Sequence, residues 1–461
     1  MPPPTSAESL FQQARRHFDA RDVNAAEHAL RAALALDPGF AEAEANLAYA
    51  LDTGGRKAQA EQHYRRAIAL APHLLQIRLN LGAMLTALRR FDAALAVYRD
   101  ALALAPDDAA LHANLGMTLA CAGREQEAEA CYRSALARHP GHTKAAFNLS
   151  YLLLRQGRWE EGWQRLEARA SIGVLQRHVN LPRWQGEALA GKTILVAAEA
   201  GQGDMIQFCR YCMQLKEAGA ARVGVLCHPG LVALLTGLQG ADEAIGLDRV
   251  PQEGAWDYWV PAMSLPLRLR TTLDSVPAPL PYLAVDSERG ARLAPLLDTL
   301  PGECKVGLVW KGNPRFENDE ARSLPSLATL APLAAVEGIR WFSLQKGAGE
   351  EEARRGVPGL APFDLAPHIG DFADTAALVD GLDLVITVDT AVAHLCGALA
   401  RPCWVLLPDY LPDWRWGEEG SATPWYPGVM RLWRQHRGGA WDALVAGMVP
   451  ALAAWRSARR R

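Results

Sequence analysis

The sequence predicts a two-part fold: a helical repeat array followed by two α/β lobes built on parallel sheets. Three observations carry this reading. Pro38, Pro72, Pro106 and Pro140 stand 34 residues apart, and Ala33, Ala67, Ala101 and Ala135 keep the same step. Composition then changes midway, since no Trp precedes Trp159 and only eight of the 39 Gly precede Arg158. Ala, Leu, Glu, Arg and Gln, all good helix formers, dominate the first third. From Lys192 onward, short β-rich runs alternate with helical stretches, in two sets divided by a Pro-rich segment. The length of 461 residues agrees, at roughly 150 residues per domain, with about three domains.

The composition also excludes several classes. Hydrophobic residues make up 50%, charged residues 21%, and the net charge is -3. That leaves no case for wholesale disorder and no general attraction to nucleic acid. The longest apolar runs, such as Leu382 to Val388, fall far short of the roughly 18 residues of a membrane span. The N-terminus, MPPPTSAESLFQQARR, has neither a basic n-region nor an apolar h-region, so no secretory signal is expected. Eight Cys in this length argue against a disulfide framework and for a reducing cytoplasm. Cys209 and Cys212 form a C-x-x-C pair, but zinc needs a second pair and Cys227 with His228 does not supply one. Buried free thiols are the expectation.

Residues 1–6 are expected to be disordered and 7–170 to form the repeat array. Ala26, Ala60, Ala94 and Ala128 keep the period, as do Leu47, Leu81, Leu115 and Leu149. Small residues let two helices approach, and Tyr64, Tyr98 and Tyr132 fill the space beside them. Each unit reads as helix, glycine turn (Gly54 and Gly55, Gly123, Gly157), helix, then Pro. This pattern resembles the tetratricopeptide repeat. The first unit departs at His17 and Leu30, and the fifth carries Gly162 in place of Ala; both suit end caps. Asn46, Asn80, Asn114 and Asn148 form a further column, each just before the periodic Leu. Two readings stay open: an amide ladder for an extended peptide backbone, similar to that in the repeat arm of protein O-linked N-acetylglucosamine transferases, or amides that only pack between repeats.

A linker (171–191) leads to a first lobe (192–287), with strands expected at Thr193 to Glu199, Ala221 to Cys227, Asp242 to Leu247 and Trp256 to Ala262. The Pro-rich run from Val276 to Val285 carries the chain onward. The second lobe (288–446) has strands expected at Cys304 to Gly312, Ile339 to Lys346, Leu382 to Thr390 and Arg401 to Pro408. Residues 447–461 should form a C-terminal helix and a basic tail through Arg459, Arg460 and Arg461. Ligands of parallel sheets sit at the carboxyl ends of the strands, which directs attention to the loops there.

The first such loop reads AEAGQGDMIQFCRY. Gly201 and Gly203 begin a dinucleotide fingerprint, but its third glycine would fall at Ile206, so nicotinamide binding is not expected. The loop presents Asp204 at a helix start, as an N-cap, a cleft-facing carboxylate, or both. Glu199, Gln202 and Gln207 accompany it on the acceptor or sugar side. In the second lobe, Asp389, Thr390, Ala391, Val392 and His394 end a strand and open a helix. Free N–H groups at the positive end of a dipole suit a diphosphate, although an ordinary turn capped by Thr390 uses the same residues. Lys311, Arg322 and Lys346, with Asn313 in the same loop as Lys311, can supply charge and hydrogen bonds. Asp371 and Gln345 are further contacts to sugar, acceptor or base. Trp414, Arg415, Trp416, Trp425 and Tyr426 read either as core packing or as a stacking platform.

The series GQGD, WKGNPRFENDEARSLP, SLQKG, DFADTAALVDGLDLVITVDTAVAHLCGAL, PDWRW and PWYPGVMRLWRQ resembles bacterial repeat-bearing glycosyltransferases related to the heptosyltransferases, over about residues 192–446. The resemblance implies a GT-B fold of two Rossmann-like lobes and inverting, metal-independent transfer. It implies that Asp204 is the general base and that Asp389, Thr390, Ala391 and His394 bind the donor diphosphate with Arg322 and Lys311. Many members of the resembled group carry Glu-Gln-Gly-Leu-Gly-Asp where this chain has Glu199-Ala200-Gly201-Gln202-Gly203-Asp204, so the Asp is kept. No Asp-X-Asp, the usual metal anchor of the other main glycosyltransferase fold, occurs.

The expected function is therefore transfer of a hexosyl or heptosyl group from a nucleotide-diphosphate sugar to a hydroxyl, with a polypeptide acceptor on the repeat arm and no cofactor or metal. Two alternatives stand beside it: a surface-polysaccharide or lipid-linked acceptor, and a catalytically silent repeat scaffold.

Overall fold

The computed structural model describes residues 6–249, 254–277, 279–316, 318–436 and 438–459. Met1 to Thr5 of the expected disordered start, and Arg460 and Arg461 of the basic tail, lie outside the described residues. The chain divides into two compact units, Met1–Leu149 and Ser150–Arg461.

The first unit is a helix-pair array: α1 (Ala7–Asp19) with α2 (Val23–Leu36), α3 (Ala41–Thr53) with α4 (Lys57–Leu70), α5 (Leu75–Ala87) with α6 (Phe91–Leu104), and α7 (Ala109–Cys121) with α8 (Glu125–Arg138). The unit boundary falls inside α9 (Thr143–Arg155), which precedes α10 (Trp159–Leu166). The periodic Ala, Leu and Tyr columns are buried throughout. A Cβ on Gly82 would come within 2.7 Å of the Tyr98 ring, and one on Gly116 within 2.8 Å of Tyr132. Those glycines let each tyrosine fill the angle between two helices. The turn after each first helix holds a left-handed residue at positions 21, 55, 89, 123 and 157. Gly55, Gly123 and Gly157 take that conformation at no steric cost, while Arg21 and Arg89 take it at φ 60° and 55°. A second period-34 feature is electrostatic, with Arg56 pairing Glu27 and Arg90 pairing Glu61 across successive pairs. Leu95 stands at the next Glu position, and there Arg124 turns instead to Glu127 in its own repeat.

The second unit holds two all-parallel sheets. The first contains β1 (Thr193–Ala197), β2 (Arg222–Cys227), β3 (Glu243–Gly246) and β4 (Tyr258–Pro261) in the order β3-β2-β1-β4. The second contains β5 (Cys304–Val309), β6 (Ile339–Ser343), β7 (Phe363–Asp364), β8 (Leu384–Val388), β9 (Cys403–Leu407) and β10 (Met430–Arg434), in the order β10-β9-β8-β5-β6-β7. All eight expected strands are present; β7 and β10 extend the second sheet at its two edges. The architecture is thus helical repeats followed by an α/β part with the two-sheet organisation of a GT-B fold. Leu195, Leu226, Trp256 and Trp259 centre the first core. Leu308, Trp310, Leu333, Ile386 and Trp404, closed by the helix Trp441–Arg459, centre the second.

Strand order reverses between β1 and β4 in one sheet and between β5 and β8 in the other. A crevice opens at the carboxyl ends of strands where such a reversal occurs. The loops after β1, β5 and β8 therefore flank the two positions where ligand binding is favoured.

Candidate active site

The helix Gln202–Phe208 follows β1, and Gly201 rather than Asp204 occupies its N-cap position. Asp204 sits three residues in, and its Oδ2 accepts the Gly201 N–H at 2.7 Å. The local cap expected of this residue is thus made backward, from inside the helix. Its Oδ1 accepts from Arg415 Nη2. Burial pushes the Asp204 carboxyl above its ordinary value, against the downward pull of Arg415.

The helix Ala391–Ala398 follows β8, with Thr390 at its N-cap position. Thr390 makes no side-chain cap; its hydroxyl pairs with Thr387 Oγ1 at 2.9 Å. The first N–H groups of the helix thus stay outside its internal ladder and are not taken by the residue expected to cap them. His394 is 5% exposed, bonds Tyr426 Oη through Nδ1 at 2.9 Å and stacks on Trp416. Burial first, then Arg415 and Arg210, push its basicity well below the usual value, which favours the neutral imidazole. Asp389 is pushed up to about 6, by burial and then by Asp413, with Arg322 opposing.

These two helix starts touch. A Cβ on Gly203 would lie 2.9 Å from His394 Cδ2 and 3.2 Å from Ala391 Cα. The second glycine of GQGD is therefore a close-approach residue, and it brings the Asp204 turn against the Asp389 to His394 turn.

The loop after β5 supplies charge. Arg322 pairs with Asp319 through Nε at 3.1 Å and lies over the Phe316 ring at 4.3 Å. Lys311 Nζ donates to the Pro325 carbonyl at 2.6 Å, and exposed Lys346 donates to that of Ala366 at 3.0 Å. Asn313 Oδ1 accepts from Arg315 N at 3.1 Å. Gln345 is 1% exposed; its amide accepts from Trp310 N and Lys311 N and donates to the Lys311 and Lys346 carbonyls. It is a clamp between the loops after β5 and β6, with its hydrogen-bonding taken up there. Asp371 caps the helix Phe372–Asp380 and pairs with Arg289 at 2.6 Å.

On the other side, the Glu199 side chain is fully buried and accepts from Arg169 (2.6 and 2.8 Å), Ser171 (3.0 Å) and Met263 N (2.9 Å). It anchors the segment after the last repeat helix to the first lobe. Gln207 is fully buried; Oε1 accepts from Arg415 Nε at 2.5 Å, and Nε2 has no partner among the described residues. Gln202 opens the helix and is partly exposed. In the other unit, the four column Asn residues are half-buried. Asn80 accepts from Gln76 at 2.8 Å and Asn114 donates to the Ala110 carbonyl of its own helix at 2.8 Å. Asn148 contacts Met117 Sδ at 3.8 Å, so these three amides meet neighbours outside the column.

The aromatic cluster belongs to the core: Trp414, Trp416, Trp425 and Tyr426 are all at most 2% exposed. Trp425 stacks on Trp159, and Trp163 meets Trp414 edge-on. Gly162 lets α10 close on Leu154, since a Cβ there would lie 2.7 Å from Leu154 Cδ2. Cys209, Cys212 and Cys227 are buried free thiols, and no cluster of metal-ligating side chains occurs among the described residues. No described helix is long and apolar enough to cross a membrane. The residue that sequence reasoning gave no charge role is Arg415, and only its place in the PDWRW series hinted at one.

Residues 11–74 and 114–170 match one family model of the tetratricopeptide repeat and residues 74–105 match another. Residues 328–406 match glycosyltransferase family 9 (heptosyltransferase), a stretch that includes Lys346, Asp371 and the Asp389 to His394 turn. Protein FlbA of Caulobacter vibrioides is 27% identical over 315 residues, which is 63% of this chain and 52% of FlbA. The chain thus spans about half the length of that relative. Among solved structures, TTC0263, a tetratricopeptide-repeat protein of Thermus thermophilus, is 24% identical, covering 37% of this chain and 95% of its own, with a TM-score of 0.33. PilF of Pseudomonas aeruginosa is 21% identical, covering 37% and 80%, with a TM-score of 0.34. The chain thus joins tetratricopeptide-repeat matches to a match with glycosyltransferase family 9 over part of its second unit.

Proposed function

We propose that the chain is an inverting glycosyltransferase that moves a sugar from a nucleotide-diphosphate donor to a hydroxyl on a polypeptide, in the cytoplasm and without a metal. The observation that supports this is the contact of Gly203 with Ala391 and His394, in which the turn that carries Asp204 in one lobe meets a helix start of the other. On this reading the donor diphosphate meets the N–H groups at Ala391 and Val392, with Arg322 and Lys311 offsetting its charge and His394 lining the turn. Asp204 takes the acceptor proton as the acceptor oxygen bonds to the anomeric carbon. The bond from that carbon to the phosphate oxygen breaks on the opposite face, and the nucleoside diphosphate leaves with its electron pair.

The half-exposed Asn80 and Asn114 amides would meet the acceptor backbone, as in the resemblance to the repeat arm of O-linked N-acetylglucosamine transferases. A thermal-shift panel of nucleotides and nucleotide sugars identifies the donor, since a ligand at about 100 times its Kd stabilises by about 2.7 kcal/mol. With that donor, Asp204→Asn keeps nucleotide binding and loses transfer; near-normal transfer removes Asp204 from the role. Asn80→Ala with Asn114→Ala weakens modification of a protein acceptor and spares a short peptide, and equal loss on both removes the ladder.

A further inference from the structure

The turn Asp413-Trp414-Arg415-Trp416 reaches the candidate site at three points. Arg415 pairs with Asp204, Trp416 stacks on His394 at 5.3 Å between ring centroids, and Asp413 is the charged neighbour that most raises Asp389. Arg415 is 6% exposed, and all three of its side-chain nitrogens are engaged. Nη2 donates to Asp204 Oδ1, Nη1 to both Asp413 oxygens at 2.9 Å, and Nε to Gln207 Oε1 at 2.5 Å. The guanidinium also lies 4.6 Å from the centroid of the Trp414 ring and 5.6 Å from that of Phe208. A planar fork already held at Nε by Gln207 and at Nη1 by Asp413 presents Nη2 to the Asp204 carboxylate in one orientation.

We propose that Arg415 is a positioning residue for Asp204, fixing its carboxylate across the two lobes so that the lone pairs left over from Arg415 and Gly201 face the acceptor hydroxyl. This rests on the reading of Asp204 as the base. The fork comes from the second lobe, so the base is complete only when the PDWRW turn is seated on the first. The arrangement also sets the ionisation of Asp204. The other titratable groups around it are Glu199 two residues after β1, Asp413 beside Arg415, Tyr151, and His394 across Gly203. Asp413 and Glu199 oppose its ionisation, and Arg415 is the cation that favours it.

The test needs no acceptor. In the full chain labelled with carboxyl-13C aspartate, the Asp204 signal is assigned as the one missing from Asp204→Asn and titrated in wild type, Arg415→Gln and Arg415→Lys. Loss of the cation should move the Asp204 midpoint upward by about one pH unit or more. Arg415→Lys, which keeps charge but not the fork, should shift it less. An unchanged midpoint in whichever variant folds overturns the proposal, and so does failure of both to fold, which would assign Arg415 to stability.

Once a donor is known, the acid limb of kcat/KM should move with that midpoint, whereas a purely structural defect lowers kcat/KM equally at every pH and overturns the proposal. Retained transfer in Asp204→Asn removes the base reading itself, while the titration still reports on the Arg415 contact.

Discussion

Gly203→Ala tests the contact on which the candidate site is built. The added methyl would lie 2.9 Å from His394 Cδ2 and 3.2 Å from Ala391 Cα. Relaxed carbon contacts are about 3.5–4.0 Å, so the deficit is roughly 0.5–1 Å. Neither neighbour can yield locally. The His394 ring is held by Tyr426 Oη and by the face of Trp416, and Ala391 Cα is backbone at a helix start. The displacement must then be taken up between the helix Gln202–Phe208 and the helix Ala391–Ala398. Overpacking of this kind costs about 1–3 kcal/mol. Replacing Gly within a helix returns about 0.5–1 kcal/mol, leaving a net loss of roughly 0–2.5 kcal/mol. The larger effect should be on turnover, because misplacing a reacting group by about 1 Å costs on the order of 100-fold. Urea unfolding and transfer assays on Gly203→Ala are compared with Gly230→Ala, whose Cβ meets only Gln202 Nε2 at 3.6 Å. If Gly203→Ala keeps full stability and turnover, the two turns are not packed as described and the shared crevice is lost with them.

Three further substitutions probe other parts of the molecule. Glu199→Gln leaves the Arg169 guanidinium, 4% exposed, without its main counter-charge; urea unfolding should show a loss of about 3–5 kcal/mol, and a loss below about 1 kcal/mol would mean that water replaces the carboxylate. Gly82→Ala forces a methyl toward the Tyr98 ring and should destabilise the repeats by about 1–3 kcal/mol, with Gly82→Ala/Tyr98→Leu recovering part of it in the same measurement. Asp389 is raised from 3.8 to about 6, so the folded state holds its proton more tightly than the unfolded chain. Its contribution is present at low pH and lost as pH rises through about 6. Relative to wild type, Asp389→Asn should therefore gain roughly 2 kcal/mol between pH 4 and pH 7, and a flat difference across that range would show that the carboxylate is not desolvated.

The parts of the fold that were legible are those in which one residue type repeats one physical task. Ala33, Ala67 and Ala101 can be read as a contact because each must be small at the same helix crossing. The left-handed turn position was half legible: Gly55, Gly123 and Gly157 announce it, but Arg21 and Arg89 adopt the same φ without advertising it. Strand β10 was missed because Met430 to Arg434 mixes Arg with Met, Leu and Trp, and its pairing with β9 is set by the sheet edge rather than by its own pattern. Strand β7 is two residues long and leaves no periodicity to read.

For the site, what the sequence shows is the backbone task and not the side-chain partner. A glycine turn before a helix singles out Asp204 as a candidate, and a strand ending before small residues does the same for Asp389 to Ala391; both features are local, and the structure has a helix start at each. Glu199 and Gln345 have the same polar character as ligand contacts, but their bonding is completed by partners distant in sequence, Arg169 and Ser171 for one and Trp310 and Lys311 for the other. Arg415 is the converse. Set between Trp414 and Trp416, it reads as one member of an aromatic core, and its pairing with Asp204 spans 211 residues. A turn from one lobe that ion-pairs across to the other makes the geometry of the Asp204 carboxylate depend on both, so on the proposed reading the PDWRW turn has a part in the chemistry that its aromatic composition does not announce.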